Sequence, residues 1–341
     1  MPASRHDDKI SSYCEEFREG WDSLVESTGS ATVLHSRRFL DYHGSRFEDL
    51  SFVMRSGNDG EITAVFPIAA HPRLAGVAVS HAGSSFGGIV ARLTDPLEHW
   101  HFFRTVAGRL LKRGYQSLVY RAVPSGLLPL ASDSMLPALF KLGQLKQCDL
   151  WSVLGLADVP ASLQRYWAHE IRRGERKGLH ANAVHRQEDW KVFHDILAQR
   201  LRQKYLAEPV HSAAELFDLH CRLGAQSRGL LVRDARGVEV AALWFIDYGN
   251  GTLHNQYNAA TEVGLRQGAS SYGIALTIMS AFRDGGFRQF SFGRNTLDDG
   301  WSVNRKLMRF KQQFGAGLCA QFHFELDLAA CCSAPEDFLS G

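Results

Sequence analysis

Apolar and polar positions alternate with period two in short runs, and these runs are interleaved with longer stretches of 3.6-residue periodicity. The first such stretch predicts a helix over 13–27, followed by a short amphipathic piece over 33–43 anchored by Phe39 and Leu40. Strands are predicted over 50–55 and 61–70, joined by the turn Gly57-Asn58-Asp59-Gly60. Short strands over 77–81 and 89–91 flank a glycine-rich loop over 82–88. A helix over 96–113 ending at Gly114, a strand over 116–121 and a helix over 132–142 follow.

Around 145–150 the pattern restarts. It predicts a strand over 151–156, a helix over 160–177, a strand over 179–185 and a long helix over 188–205. Ser212 reads as the cap of a helix over 213–223. Strands over 229–233, 238–248 and 252–258 form a meander. A helix over 270–283, a strand over 289–293, a helix over 301–314 and a strand over 319–326 complete the chain. The tail after Leu328 reads as loose. Each half therefore runs strands, helix, strand. The fold class expected is α/β (α+β): two tandem domains, 1–147 and 148–341, each a mixed, mostly antiparallel sheet flanked by helices.

Composition narrows this picture. The chain has 341 residues, 45% of them hydrophobic, with a formal net charge of +2. That balance gives no general electrostatic case for nucleic acid. The six cysteines form no C-x-x-C pair, so free thiols in a reducing compartment are expected. The polar N-terminus lacks a signal-peptide core, and no run of about 18 apolar residues predicts a membrane span. A cytoplasmic protein is expected, with the inner membrane face as the alternative site. No H-E-x-x-H or paired cysteines point to zinc, and no G-x-S-x-G elbow points to a hydrolase.

The candidate chemistry gathers between 253 and 317. The stretch Gly264-Leu265-Arg266-Gln267-Gly268-Ala269-Ser270-Ser271 is a glycine-rich helix entry, where unpaired N–H groups suit a diphosphate; the plain alternative is a tight turn. Strict alternation on the strand over 252–258 puts His254, Gln256 and Asn258 on one face and Leu253, Asn255 and Tyr257 on the other. His254 is a candidate general base or a ligand-orienting residue. Asn304, Met308 and Lys311 share a helix face, and Phe310 and Phe314 line a neighbouring seam. Lys311 either stabilises an anion or reaches solvent over a packed stem. Arg165, His169, Arg172, Arg173, Arg176 and Lys177 form a basic run, either a solvated face or a phosphate dock. His211, before the helix cap, and His81, before the glycine loop, are candidate substrate contacts.

Taken in order, these residues resemble a known family. His254-Asn255-Gln256-Tyr257, Gly264 to Gly268-Ala269, Phe290-Ser291-Phe292-Gly293, Asn304 and Phe310-Lys311-Gln312-Gln313-Phe314-Gly315 resemble GNAT-like acyltransferases related to Fem-type aminoacyl transferases. The nearest branch is the one found among envelope-polysaccharide functions. His35-Ser36-Arg37-Arg38-Phe39, Phe66-Pro67, Ser80-His81-Ala82-Gly83 through Phe86-Gly87-Gly88, the basic helix and Pro209-Val210-His211-Ser212 extend the likeness over nearly the whole chain. The resemblance implies two tandem GNAT-like domains, an acyl donor (acyl-CoA or aminoacyl-tRNA) and an amine acceptor. It also implies that Lys311, in the final F-K-x-x-F-G helix, assists transfer. The chain departs from the family where the Gly264–Ser270 stretch matches the coenzyme A loop only loosely, and at Arg294-Asn295-Thr296.

The expected activity is N-acyl transfer from acyl-CoA, used as a co-substrate and not as a tightly bound cofactor, to the amine of an amino sugar or lipid-linked sugar. Lys311 and His254 are the expected catalytic residues. Gln256, Tyr257, Asn304, His211 and His81 are expected to contact substrate, and Gly268, Ala269, Ser270 and Ser271 the coenzyme. No metal is expected. Transfer from aminoacyl-tRNA and a non-catalytic, precursor-binding regulator are the alternatives. The oligomeric state is left open.

Overall fold

The computed structural model describes residues 9–57, 60–92, 95–128, 134–297, 300–335 and 337–339. Asn58 and Asp59 of the predicted turn, and the start of the helix expected over 132–142, lie outside them. The chain divides into two compact units. One is Met1–Leu150 with Thr296–Ser302 and Cys319–Gly341; the other is Trp151–Asn295 with Val303–Leu318. The fold class is the expected one, mixed and mostly antiparallel sheets flanked by helices.

In the first unit, strands Ile10–Ser12, Phe52–Arg55, Ile62–Phe66 and Val90–Ala91 pair antiparallel in that order. A second set runs Ala69–Ala70, Val77–Val79, Ser117–Arg121 and Gly317–Asp327. Helix Pro96–Lys112 begins with Asp95, whose side chain accepts the Leu97 N–H, and with proline at its first position. Its apolar stripe, Trp100, Phe103, Val106, Ala107 and Leu110, is fully buried. The strand expected to end the second domain thus pairs with Ser117–Arg121 of this unit. Over its described residues the tail is packed, not loose: Leu328–Ser333 forms a helix whose Leu328 and Cys331 are buried in the same core.

In the second unit the strand order is Gln144–Gly155 (through its residues from Trp151 on), Gln289–Arg294, Thr252–Ala260, Glu239–Asp247, Ser227–Arg233 and His180–Val184. All neighbours are antiparallel except Thr252–Ala260 and Gln289–Arg294, which run parallel. The parallel pairing extends from Thr252 opposite Gln289 to His254 opposite Ser291. Glu239–Asp247 is buried along nearly its whole length, as a central strand covered on both faces requires. Helices Ala161–Arg176 and Ala269–Asp284 pack closely: a Cβ on Gly174 would sit 2.4 Å from Tyr272.

Three local expectations change here. The glycine-rich entry contains a short helix of its own, Glu262–Gln267, which ends at Gly268 before Ala269–Asp284 begins. The helix expected over 301–314 is Arg305–Gln313, because Asn304 caps it by accepting the Leu307 N–H at 3.1 Å. A register shift opposite Trp244 and Phe245 makes Gln256 the extra residue of a bulge. Strict alternation therefore fails along 252–258, and Leu253 and His254 are both buried.

Candidate functional site

Two strand irregularities and one helix build the site, all in the second unit. The register shift between Ser291 and Gly293 leaves Phe292 unpaired in count, and Gly293 takes φ +74°, a conformation natural to glycine. The bend offers two successive carbonyls to one amine. Lys311 Nζ donates to Gly293 O at 2.9 Å and to Arg294 O at 2.7 Å.

Lys311 is 5% exposed because its helix is pinned by aromatic neighbours. Phe314 is fully buried against Phe292 and Phe310, and its carbonyl accepts the Trp167 indole N–H at 3.2 Å. Burial first, and the Arg294 cation second, pull the Lys311 amine down to about 7. A lysine that titrates near neutrality can exchange a proton during a reaction.

His254 is 4% exposed and lies in an aromatic slot. The Tyr248 ring stacks at 5.0 Å and 20°, and the Trp151 ring lies at 5.6 Å and 36°. Its Nδ1 is 3.1 Å from Ser291 Oγ. Burial, and then the Lys311 charge, push its imidazole down to about 3, so it is neutral near pH 7. A Cβ on Gly293 would lie 3.2 Å from His254 Cε1, so ring and bend are in direct apposition.

Tyr257 and His211 come together: Tyr257 Oη lies 2.8 Å from His211 Nδ1, and the Tyr257 ring stacks on Trp244 at 5.9 Å and 26°. Gln256 is half-buried at the bulge, and Asn255 closes it by donating to Tyr257 O at 2.9 Å. Asn304 is used as the helix cap that orients the Lys311 helix.

At the candidate coenzyme loop, Gly268 has φ +80° and faces Arg173, whose Nη2 would be 2.6 Å from a Cβ there. Arg173 is paired with Glu170 at 3.2 Å. Lys177 Nζ donates to Gln267 O at 3.0 Å. Two members of the basic run therefore converge on the start of helix Ala269–Asp284, where Ala269 is buried and Ser270 and Ser271 are half-buried.

His81 belongs to the first unit and is described with it. It is buried, holds φ +66°, and packs against His43 at 5.1 Å and Phe47 at 6.2 Å. Burial, reinforced by His43, pushes it down to about 3.

Sequence reasoning missed Ser291, Trp151 and Tyr248 as parts of the site. The signal for Ser291 was a lone hydroxyl inside Phe290-Ser291-Phe292, an otherwise apolar strand. A hydroxyl buried there needs a hydrogen-bond partner. Among the described residues no group of three or more His, Cys, Asp or Glu is placed to hold a metal, and no helix is long and apolar enough to cross a membrane. All six cysteines are free thiols.

No family profile matches the chain, and no curated protein sequence matches it significantly. Solved structures do. The chain is similar to FemX, with a TM-score of 0.68 at 12% identity over 92% of this chain and 96% of FemX. It is similar to the C-terminal domain of a candidate lysylphosphatidylglycerol synthetase from Agrobacterium fabrum, with a TM-score of 0.57 at 13% identity, covering 93% of each chain. A tandem GNAT protein from the clavulanic acid biosynthesis pathway follows, with a TM-score of 0.51 at 13% identity over 94% of this chain and 98% of that one. The chain thus has a GNAT-like fold of the Fem type.

Proposed function

We propose that this GNAT-like, Fem-type chain is an N-acyltransferase that moves an acyl group from an acyl-CoA thioester to the amine of an amino sugar or a similar cell-envelope polysaccharide precursor. The observation that carries the reading is Lys311. It is a buried amine near neutrality, held by two carbonyls at a strand bend.

The chemistry follows from the valences of that amine. The acceptor nitrogen attacks the thioester carbonyl, the C–N bond forms, and the oxyanion collapses with loss of the C–S bond. The nitrogen must shed one proton, and the departing thiolate must gain one. Two positions on Lys311 Nζ are committed to Gly293 O and Arg294 O, which leaves a third to take that proton and return it to sulfur. Gln256 and the His211–Tyr257 pair would orient the acceptor. Gly268, Ala269, Ser270 and Ser271, with Arg173 beside them, would receive the coenzyme diphosphate on the first N–H groups of the helix.

Titration calorimetry against a panel of acyl-CoA thioesters tests the reading, with binding of at least one member expected. Absence of binding across the panel would overturn the donor assignment.

A second reading keeps the fold and replaces the donor with aminoacyl-tRNA. Helix Arg305–Gln313 supports it, because Arg305, Lys306 and Arg309 are exposed and no acid lies within that helix. The likeness to FemX supports it as well. A tRNA mobility shift that weakens steeply with salt is its expected signature.

A further inference from the structure

Ser291 accepts the Gly293 N–H at 3.3 Å, so one lone pair of its hydroxyl is taken. Its own hydrogen has one acceptor among the described contacts, His254 Nδ1 at 3.1 Å. An imidazole nitrogen that accepts cannot carry a proton, so the ring hydrogen resides on Nε2. The ring is clamped between Tyr248 and Trp151 and rests against Gly293. The same Gly293, through its carbonyl, and Arg294 hold Lys311.

We infer that His254 is a positioning residue, fixed by Ser291 as the Nε2–H tautomer, that braces the Gly293 bend and so aims the open position of Lys311 Nζ. This rests on the transferase reading and deepens it: proton transfer is assigned to Lys311 alone, and Ser291 joins the site. The groups facing His254 agree with that division. Tyr248 and Trp151 bring no charge, Ser291 brings a hydroxyl, and the cation that acts on the ring is Lys311 itself. The one charge acting on Lys311 from its carbonyl cradle is Arg294. A base with its Nδ1 engaged and its Nε2 already protonated has no lone pair to offer an incoming amine. A braced donor keeps its shape through turnover.

Two measurements test this on the full chain. Nitrogen NMR of protein labelled at histidine reads the tautomer without any substrate. His254 is expected as neutral Nε2–H from about pH 5.5 to about pH 8 in the wild type, and as a mixture of tautomers in Ser291→Ala. The kinetic arm follows kcat/KM against pH. Ser291→Ala and His254→Gln are each expected to move the acid limb by about 0.5 unit or more, with donor KM held within about twofold. Titration of His254 inside that range, or a wild-type Nδ1–H tautomer, overturns the inference. So does loss of the acid limb in His254→Gln while it persists in Lys311→Ala. If no donor supports transfer, the function proposed above fails, while the tautomer arm still decides the role of Ser291.

Discussion

Lys311 Nζ donates to the Gly293 carbonyl at 2.9 Å, across a bend that glycine alone adopts readily. A helix residue and a strand residue, 18 positions apart, thus share one hydrogen bond on which the proposed chemistry depends.

Removing that amine should cost rate more than binding. Lys311→Ala is expected to lower kcat by about 10²-fold or more with a small change in donor KM, measured under saturating acceptor. Turnover near the wild-type rate would remove Lys311 from the mechanism.

Stability should also record the buried amine. Its folded value is about 7 against an ordinary 10.5, so between those values the unfolded chain binds more protons than the folded one. Below about pH 7 both states are charged, and the folded state bears the full penalty, on the order of 5 kcal/mol at its limit. Stability from this group therefore rises as pH increases from about 7 toward 10.5. In urea unfolding, wild type should gain on Lys311→Met between pH 7 and pH 10. A pH-independent difference would contradict the shift.

Gly293 offers a geometric test. Alanine there meets both an unfavourable φ of +74° and the edge of His254 at 3.2 Å. Gly293→Ala should destabilise by about 1–2 kcal/mol. Pairing it with His254→Ala should recover the steric part and leave the backbone part, seen as non-additivity in a double-mutant cycle. Strict additivity would mean that ring and bend do not bear on each other.

The stacked pair at the bulge should act on the acceptor. Tyr257→Phe keeps the ring on Trp244 and deletes the hydroxyl that meets His211 Nδ1. Stability should fall by about 0.5–1.5 kcal/mol. The acceptor KM should rise while the affinity for coenzyme holds, read by parallel calorimetry and kinetics.

Arg173 should report on the coenzyme. Arg173→Ala leaves Gly268 and the helix start in place but removes the guanidinium beside them. Affinity for coenzyme A is expected to drop about tenfold, with a weaker dependence on salt. Unchanged affinity would move the diphosphate elsewhere.

Much of this was readable in the chain itself. Periodicity located the Phe310–Phe314 seam, and the Pro-Val-His-Ser stretch located the cap at Ser212, whose side chain accepts the Glu215 N–H. Alternation failed at Gln256, because a bulge adds one residue to one strand and its register is set by the neighbouring strand. The helix predicted over 301–314 is shorter in the structure, Arg305–Gln313, for a local reason. Trp301 fits the apolar pattern, but Asn304 commits its side chain to the Leu307 N–H and starts the helix there.

By itself the sequence determined the fold class, most of the strands and helices and the cap at Ser212, and it nominated the residues that could carry chemistry, because these follow from local periodicity, capping and residue type. The tertiary structure alone decided that Gly317–Asp327 pairs with Ser117–Arg121, that His254 lies opposite Ser291 on a parallel strand, and that Gly293 and Arg294 turn their carbonyls to Lys311. Those outcomes depend on which strands meet and in what register, and pairing between distant segments leaves no periodic mark on either one.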